Sequence, residues 1–128
     1  MTPCKGPEAP LARLDNWFRT PLGREVAARE DACLEGMLRD TFGYYLLQVG
    51  AVERFREALG SSRIRHRIRI PCSGTSGRGG LQILGRPTEL PIATDGVDAV
   101  VLPHTLDFAP DPSLVLREVV RVLIPEGR

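Results

Sequence analysis

A histidine and an aspartate three residues apart, His104 and Asp107, form the pair in this sequence best suited to proton chemistry. An imidazole titrates near neutrality, so His104 could act as a general base that takes a proton from an acceptor oxygen or nitrogen. The competing reading is a loop histidine that shapes a pocket. Asp107 either orients the imidazole or binds an acceptor, or it belongs to the start of a helix. Gly74, Gly77, Gly79 and Gly80 invite a phosphate-cradle reading, but the G-x-x-x-x-G-K-[ST] spacing is missing, and the segment reads as a connector. Arg63, Arg65, Arg67 and Arg69 alternate with Ile64, His66, Ile68 and Ile70. Such a row could track a phosphate backbone. No aromatic residues interleave to stack bases, however, so a solvated or helix-covered arginine face is expected and nucleic acid is not. Trp17, Phe18, Tyr44 and Tyr45 read as core packing ahead of a substrate lid. Cys4, Cys33 and Cys72 are odd in number and far apart, which fits neither a disulfide framework nor a close-pair zinc site. No metal is expected, and the setting is expected to be reducing and cytoplasmic.

The elements that must position these groups follow from periodicity. Leu11, Leu14, Trp17 and Phe18 recur at helical spacing. Thr20 is placed to cap a second helix with Pro21 in its first position, Leu22, Val26, Cys33, Leu34, Met37 and Leu38 as its apolar stripe, and Gly43 as its end. Tyr44 to Val49 is an apolar and aromatic run of strand length that closes on Gly50, and Val52 to Leu59 is a helix ended by Gly60. The arginine alternation predicts a second, half-buried strand, and Leu81 to Leu84 a short third one. Val97 to Leu102 is a β-branched run suited to a parallel strand covered on both faces. Asp111 caps a last helix with Pro112 in its first turn and a packing stripe of Leu116, Val119, Val120 and Leu123. Strands alternating with helices imply an α/β fold of right-handed parallel βαβ units.

The length, 128 residues, suits one domain, read as a flexible lead-in over 1–9 and a domain over 10–128. No apolar stretch approaches the roughly 20 residues of a bilayer span, so no membrane partner is expected. Seventeen Lys and Arg against sixteen Asp and Glu leave a net charge of +1, which gives no global field toward polyanions. The first residues lack the apolar segment of a secretory signal. A parallel sheet stopping after this last helix would leave its most hydrophobic strand as an open edge, which suggests a fragment, a homo-oligomer or a partner chain covering it.

The stretch from Leu90-Pro91 through Asp98 to Leu102, followed by Arg121-Val122-Leu123-Ile124-Pro125-Glu126-Gly127, resembles class I S-adenosylmethionine-dependent methyltransferases. So does the opening Trp17-Phe18-Arg19-Thr20-Pro21-Leu22-Gly23 with Tyr44 to Gly50. The resemblance implies a Rossmann-like parallel sheet with flanking helices, namely the N-terminal half of that fold, here truncated after the fourth strand and its helix. It implies S-adenosyl-L-methionine as cofactor, held by Gln48, Val49, Gly50 and Ala51 in the first turn, Glu89 and Leu90 after the third strand, and Pro103 after the fourth. Catalytic roles fall to His104 and Asp107, and the partner is an unknown methyl acceptor, possibly a small molecule. The sequence departs from the family's glycine-rich first turn, which is degenerate here in keeping only Gly50, and it has no carboxylate in Ile70-Pro71-Cys72-Ser73, where the family binds ribose. Three functions are therefore carried: a methyltransferase, a non-catalytic interaction module or inactive fragment of that fold, and an RNA-binding element on the arginine strand.

Overall fold

The computed structural model describes residues 8–50, 55–71 and 81–128. Helix α1 spans Glu8–Phe18 and α2 spans Pro21–Arg39. The expected cap between them is formed: the Thr20 hydroxyl accepts from Gly23 N at 3.1 Å with Pro21 at the helix start. Helix α2 stops ahead of Gly43 because Thr41 turns back on it, donating its hydroxyl to Met37 O at 2.9 Å and its amide to Leu38 O.

Among the described residues four strands follow, β1 (Tyr45–Gly50), β2 (His66–Pro71), β3 (Leu81–Gln82) and β4 (Ala99–Val101), with α3 (Arg56–Gly60) between the first two and α4 (Pro112–Val122) after the last. Every pairing is parallel, in the order β3-β2-β1-β4. Strands β3 and β4 are shorter than the apolar runs Leu81–Leu84 and Val97–Leu102 that mark them.

Two cores sandwich this sheet. Leu47, Val49, Ile68, Ile70 and Val97 pack with Leu90 and Val122 on the α4 side. Leu46 and Ala99 pack with Leu38, Leu59 and Ile64 on the side of α2 and α3. The alternation within β1 assigns one parity to each face.

Four expectations need correction. The arginine strand is not half solvated: Arg69 is only 3% exposed, which fits the helix-covered alternative for that face. It lies in register with Gln48 on β1 and Gln82 on β3, a polar row on the face that carries Leu46. The stripe by which α4 packs is Val115, Val119 and Val122, leaving Leu116 and Val120 exposed. Likewise α2 buries Leu38 and part of Leu34, while Leu22, Cys33 and Met37 face out. In α2 the sequence periodicity finds a stripe wider than the buried one, and in α4 one rotated away from it. Finally, the outer edge of β4 is not bare. Leu123 bridges Val97, the chain turns at Ile124–Gly127, and Arg128 then exchanges backbone hydrogen bonds with Asp98 O and Val100 N at 3.1 and 2.8 Å.

Candidate functional site

The chain runs from β1 outward to β2 and β3, then returns across β1 to lay β4 on its other side. The β1–β4 boundary is thus a topological switch point, and the crevice at the carboxyl ends of those strands is where open α/β sheets hold ligands.

Gly50 is the last residue of β1, at that boundary. Its φ is +104°, and a Cβ at this position would sit 2.3 Å from Thr105 Oγ1, so only a bare backbone fits. Thr105 is 6% exposed and donates its hydroxyl to Val49 O at 2.6 Å. This bond ties the turn after β4 to the end of β1. The buried Pro103 lies in the same junction, its carbonyl 3.4 Å from the Thr105 hydroxyl.

His104 sits on that turn in the left-handed region, φ +54°. Its Nδ1 is 3.0 Å from Asp107 Oδ2, the latter in the first turn of a short 3-10 helix over Leu106–Phe108. Its Nε2 is 3.7 Å from Glu30 Oε2 on α2, and the Phe18 ring at the end of α1 leans on it with centroids 5.5 Å apart. The imidazole therefore has a carboxylate at each nitrogen and an aromatic face beside it. Asp107 is legible from its spacing, whereas nothing in the α2 sequence separates Glu30 from its neighbours Glu25 and Glu35.

The other residues expected at the cofactor divide. Gln48 and Val49 are buried within β1. Ala51 lies outside the described residues. Glu89 is exposed in a turn closed by its amide to Arg86 O at 3.0 Å. Leu90 is 5% exposed in the core on the α4 side, so its side chain packs and does not reach the crevice. The aromatic set does not form core as expected: Trp17, Tyr44 and Tyr45 are exposed, and Phe18 alone leans on His104.

A second group escaped the sequence reading and positions the loop between β3 and β4. Arg121 on α4 donates to Ile92 O and Leu90 O at 3.0 and 2.9 Å, while Glu118 Oε1 accepts from Leu90 N at 3.0 Å. Glu118 and Arg121 also bond each other. The Arg121 hydrogen bond holds the Glu118 carboxyl below its usual value; burial works against it and the Leu90 amide assists. Arg121 is pushed up in turn by Glu118. At the strand starts, Asp98 Oδ2 accepts from Tyr44 N and Tyr45 N at 2.9 and 3.0 Å, which fixes the lead into β1. Among the described residues no group of three or more His, Cys, Asp or Glu could hold a metal, and no helix is long and apolar enough to cross a membrane.

Comparison with known proteins agrees with this arrangement. The Escherichia coli K12 protein YafS, itself uncharacterized, is 31% identical over 99% of this chain, which spans 50% of YafS. A Thermotoga maritima SAM-dependent methyltransferase superposes with a TM-score of 0.71 at 22% identity, covering 91% of this chain and 55% of that one. A Haloferax volcanii methyltransferase, solved in complex with the Trm112 methyltransferase activator, matches with a TM-score of 0.64 at 20% identity, covering 89% of this chain and 57% of that one. The chain thus spans half the length or less of the curated relatives it matches. The model of a family described as a methyltransferase domain matches residues 32–128, from the middle of α2 through the crevice to the last turn. The chain belongs to that family, the class I S-adenosylmethionine-dependent methyltransferases.

Proposed function

We propose that this chain holds S-adenosylmethionine at the carboxyl ends of β1 and β4 and serves methyl transfer to a small-molecule acceptor that is deprotonated at His104. The observation that carries the proposal is the Gly50–Thr105 junction at the switch point. There a positive-φ glycine lets the buried Thr105 hydroxyl close against the end of β1 and hold the two strand ends together. The Gly50 backbone and Pro103 are the groups that would hold the cofactor at its methionine end.

The cofactor, when bound, supplies an already activated methyl group, so the chain's task is mainly positioning. With Nδ1–H donated to Asp107, Nε2 of His104 carries the lone pair and takes the acceptor proton. Glu30 beside Nε2 then stabilises the imidazolium that results. Phe18 helps to exclude water from one side of the ring. The exposed free thiol of Cys33 suits a reducing, cytoplasmic setting.

The test is transfer of labelled methyl from S-adenosylmethionine to a panel of small amines and alcohols, comparing wild type with His104→Asn. Transfer that falls about a hundredfold in the variant at unchanged cofactor affinity is expected. Equal rates would remove His104 from the chemistry. A second reading, a non-catalytic interaction module of the same fold, is favoured by one observation: β2 closes on buried Pro71, with no carboxylate at the end where ribose would lie. The neighbour solved with an activator chain makes a partner protein reasonable under either reading.

A further inference from the structure

The arginine strand finds its aromatic complement at the opposite end of the sheet from the crevice. Phe42 and Tyr44, on the lead into β1, are 63% and 68% exposed, and Tyr45 at the strand start is exposed as well. Beside them lie the exposed Arg63, Arg65 and His66 on the lead into β2. The Arg63 guanidinium stands 5.2 Å from the Phe42 ring centroid. The Tyr45 and His66 rings face each other at 5.4 Å, tilted by 31°. The sequence separates the two sets by about twenty residues, which is why no interleaving is visible in it; parallel pairing of Tyr45 with His66 brings them together.

The surface is preorganised. Asp98 Oδ2 accepts from the amides of both tyrosines, and His66 N donates to Tyr44 O at 2.9 Å. Gly43 has φ +152°, and a Cβ there would overlap the Asp98 carboxylate at 2.2 Å, so the loop is seated directly on that group. Arg39 at the end of α2 and Arg63 and Arg65 on the lead into β2 are exposed, as is the acidic Asp40 that follows α2. Asp98 is engaged by the backbone amides.

We propose that this rim, formed by Phe42, Tyr44, Tyr45, Arg63, Arg65 and His66, is a binding surface for single-stranded RNA. Exposed rings offer faces on which bases stack irrespective of sequence, and the arginines meet the intervening phosphates. Arg63 over Phe42 adds a cationic edge to one such platform. The rim is about 16 Å from Gly50 along β1, so it is distinct from the crevice and does not depend on methyl transfer. Double-stranded nucleic acid, which hides its base faces, is not the expected ligand.

The experiment is fluorescence anisotropy of a labelled twelve-nucleotide uridine RNA with the purified chain. Binding at about 50 mM salt is expected, with a salt dependence near −0.7 in log–log slope for each phosphate engaged. Phe42→Ser with Tyr44→Ser weakens it about tenfold. Arg63→Gln with Arg65→Gln lowers the slope by roughly 1.4. Arg117→Gln on α4, exposed and outside the rim, leaves it unchanged. Circular dichroism melts verify that each variant is folded, and light scattering follows self-association. Absence of RNA binding by the folded wild type would overturn the proposal. So would binding indifferent to both pairs of substitutions, or a dimer that retains no RNA and separates when the aromatic pair is removed.

Discussion

Gly50 and His104 are the two residues whose backbone conformations most constrain the crevice. Gly50→Ala introduces a Cβ at positive φ and 2.3 Å from the Thr105 hydroxyl, so a loss of about 2–4 kcal/mol in stability is expected by denaturant unfolding. For His104, side-chain chemistry and backbone tolerance separate cleanly. Asn accepts the left-handed region and His104→Asn keeps the fold, whereas His104→Val costs about 1–2 kcal/mol on the same unfolding curve. Equal stability of the two variants would mean that the φ of +54° is not held in solution. His104 and Asp107 could be paired from sequence because they stand three positions apart and a turn joins them. Thr105 could not be linked to Val49, nor Glu30 to His104, because each contact spans two elements and leaves no local pattern.

At the scale of elements, helix starts were the most legible features. Thr20-Pro21 and Asp111-Pro112 cap α2 and α4 as their chemistry requires, with Asp111 accepting from Ser113 N at 3.1 Å. Buried faces were less legible, since α4 turns Val115 to the core and Leu116 to solvent, a choice made by the sheet beneath it. The Glu118–Arg121 strap over Leu90 and Ile92 makes its own prediction. The Glu118 carboxyl is depressed in the folded chain, so its contribution is fully present above the ordinary carboxylate range and is lost as pH falls through the lowered folded value. Glu118→Ala therefore destabilises by about 1–3 kcal/mol at neutral pH, and the difference from wild type shrinks as the medium becomes strongly acidic. A difference that stays constant with pH would show that the carboxylate charge is not what holds the loop.

The whole molecule follows from alternation of strand and helix signals, which fixes a parallel sheet, and from the return of β4 to the side of β1, which places a crevice at their ends. What alternation cannot show is how strand starts converge into the aromatic and arginine rim, or that residues 123–128 lie along β4. Both arise from register, a long-range property. The reading of this fold as a cofactor-binding one is tested most directly by calorimetric titration of the chain with S-adenosylhomocysteine, wild type beside Gly50→Val. Saturable binding at a single site by wild type, abolished in a variant that circular dichroism shows to be folded, is the predicted result. A folded wild-type chain that takes up no ligand would contradict it and leave the interaction-module reading in its place.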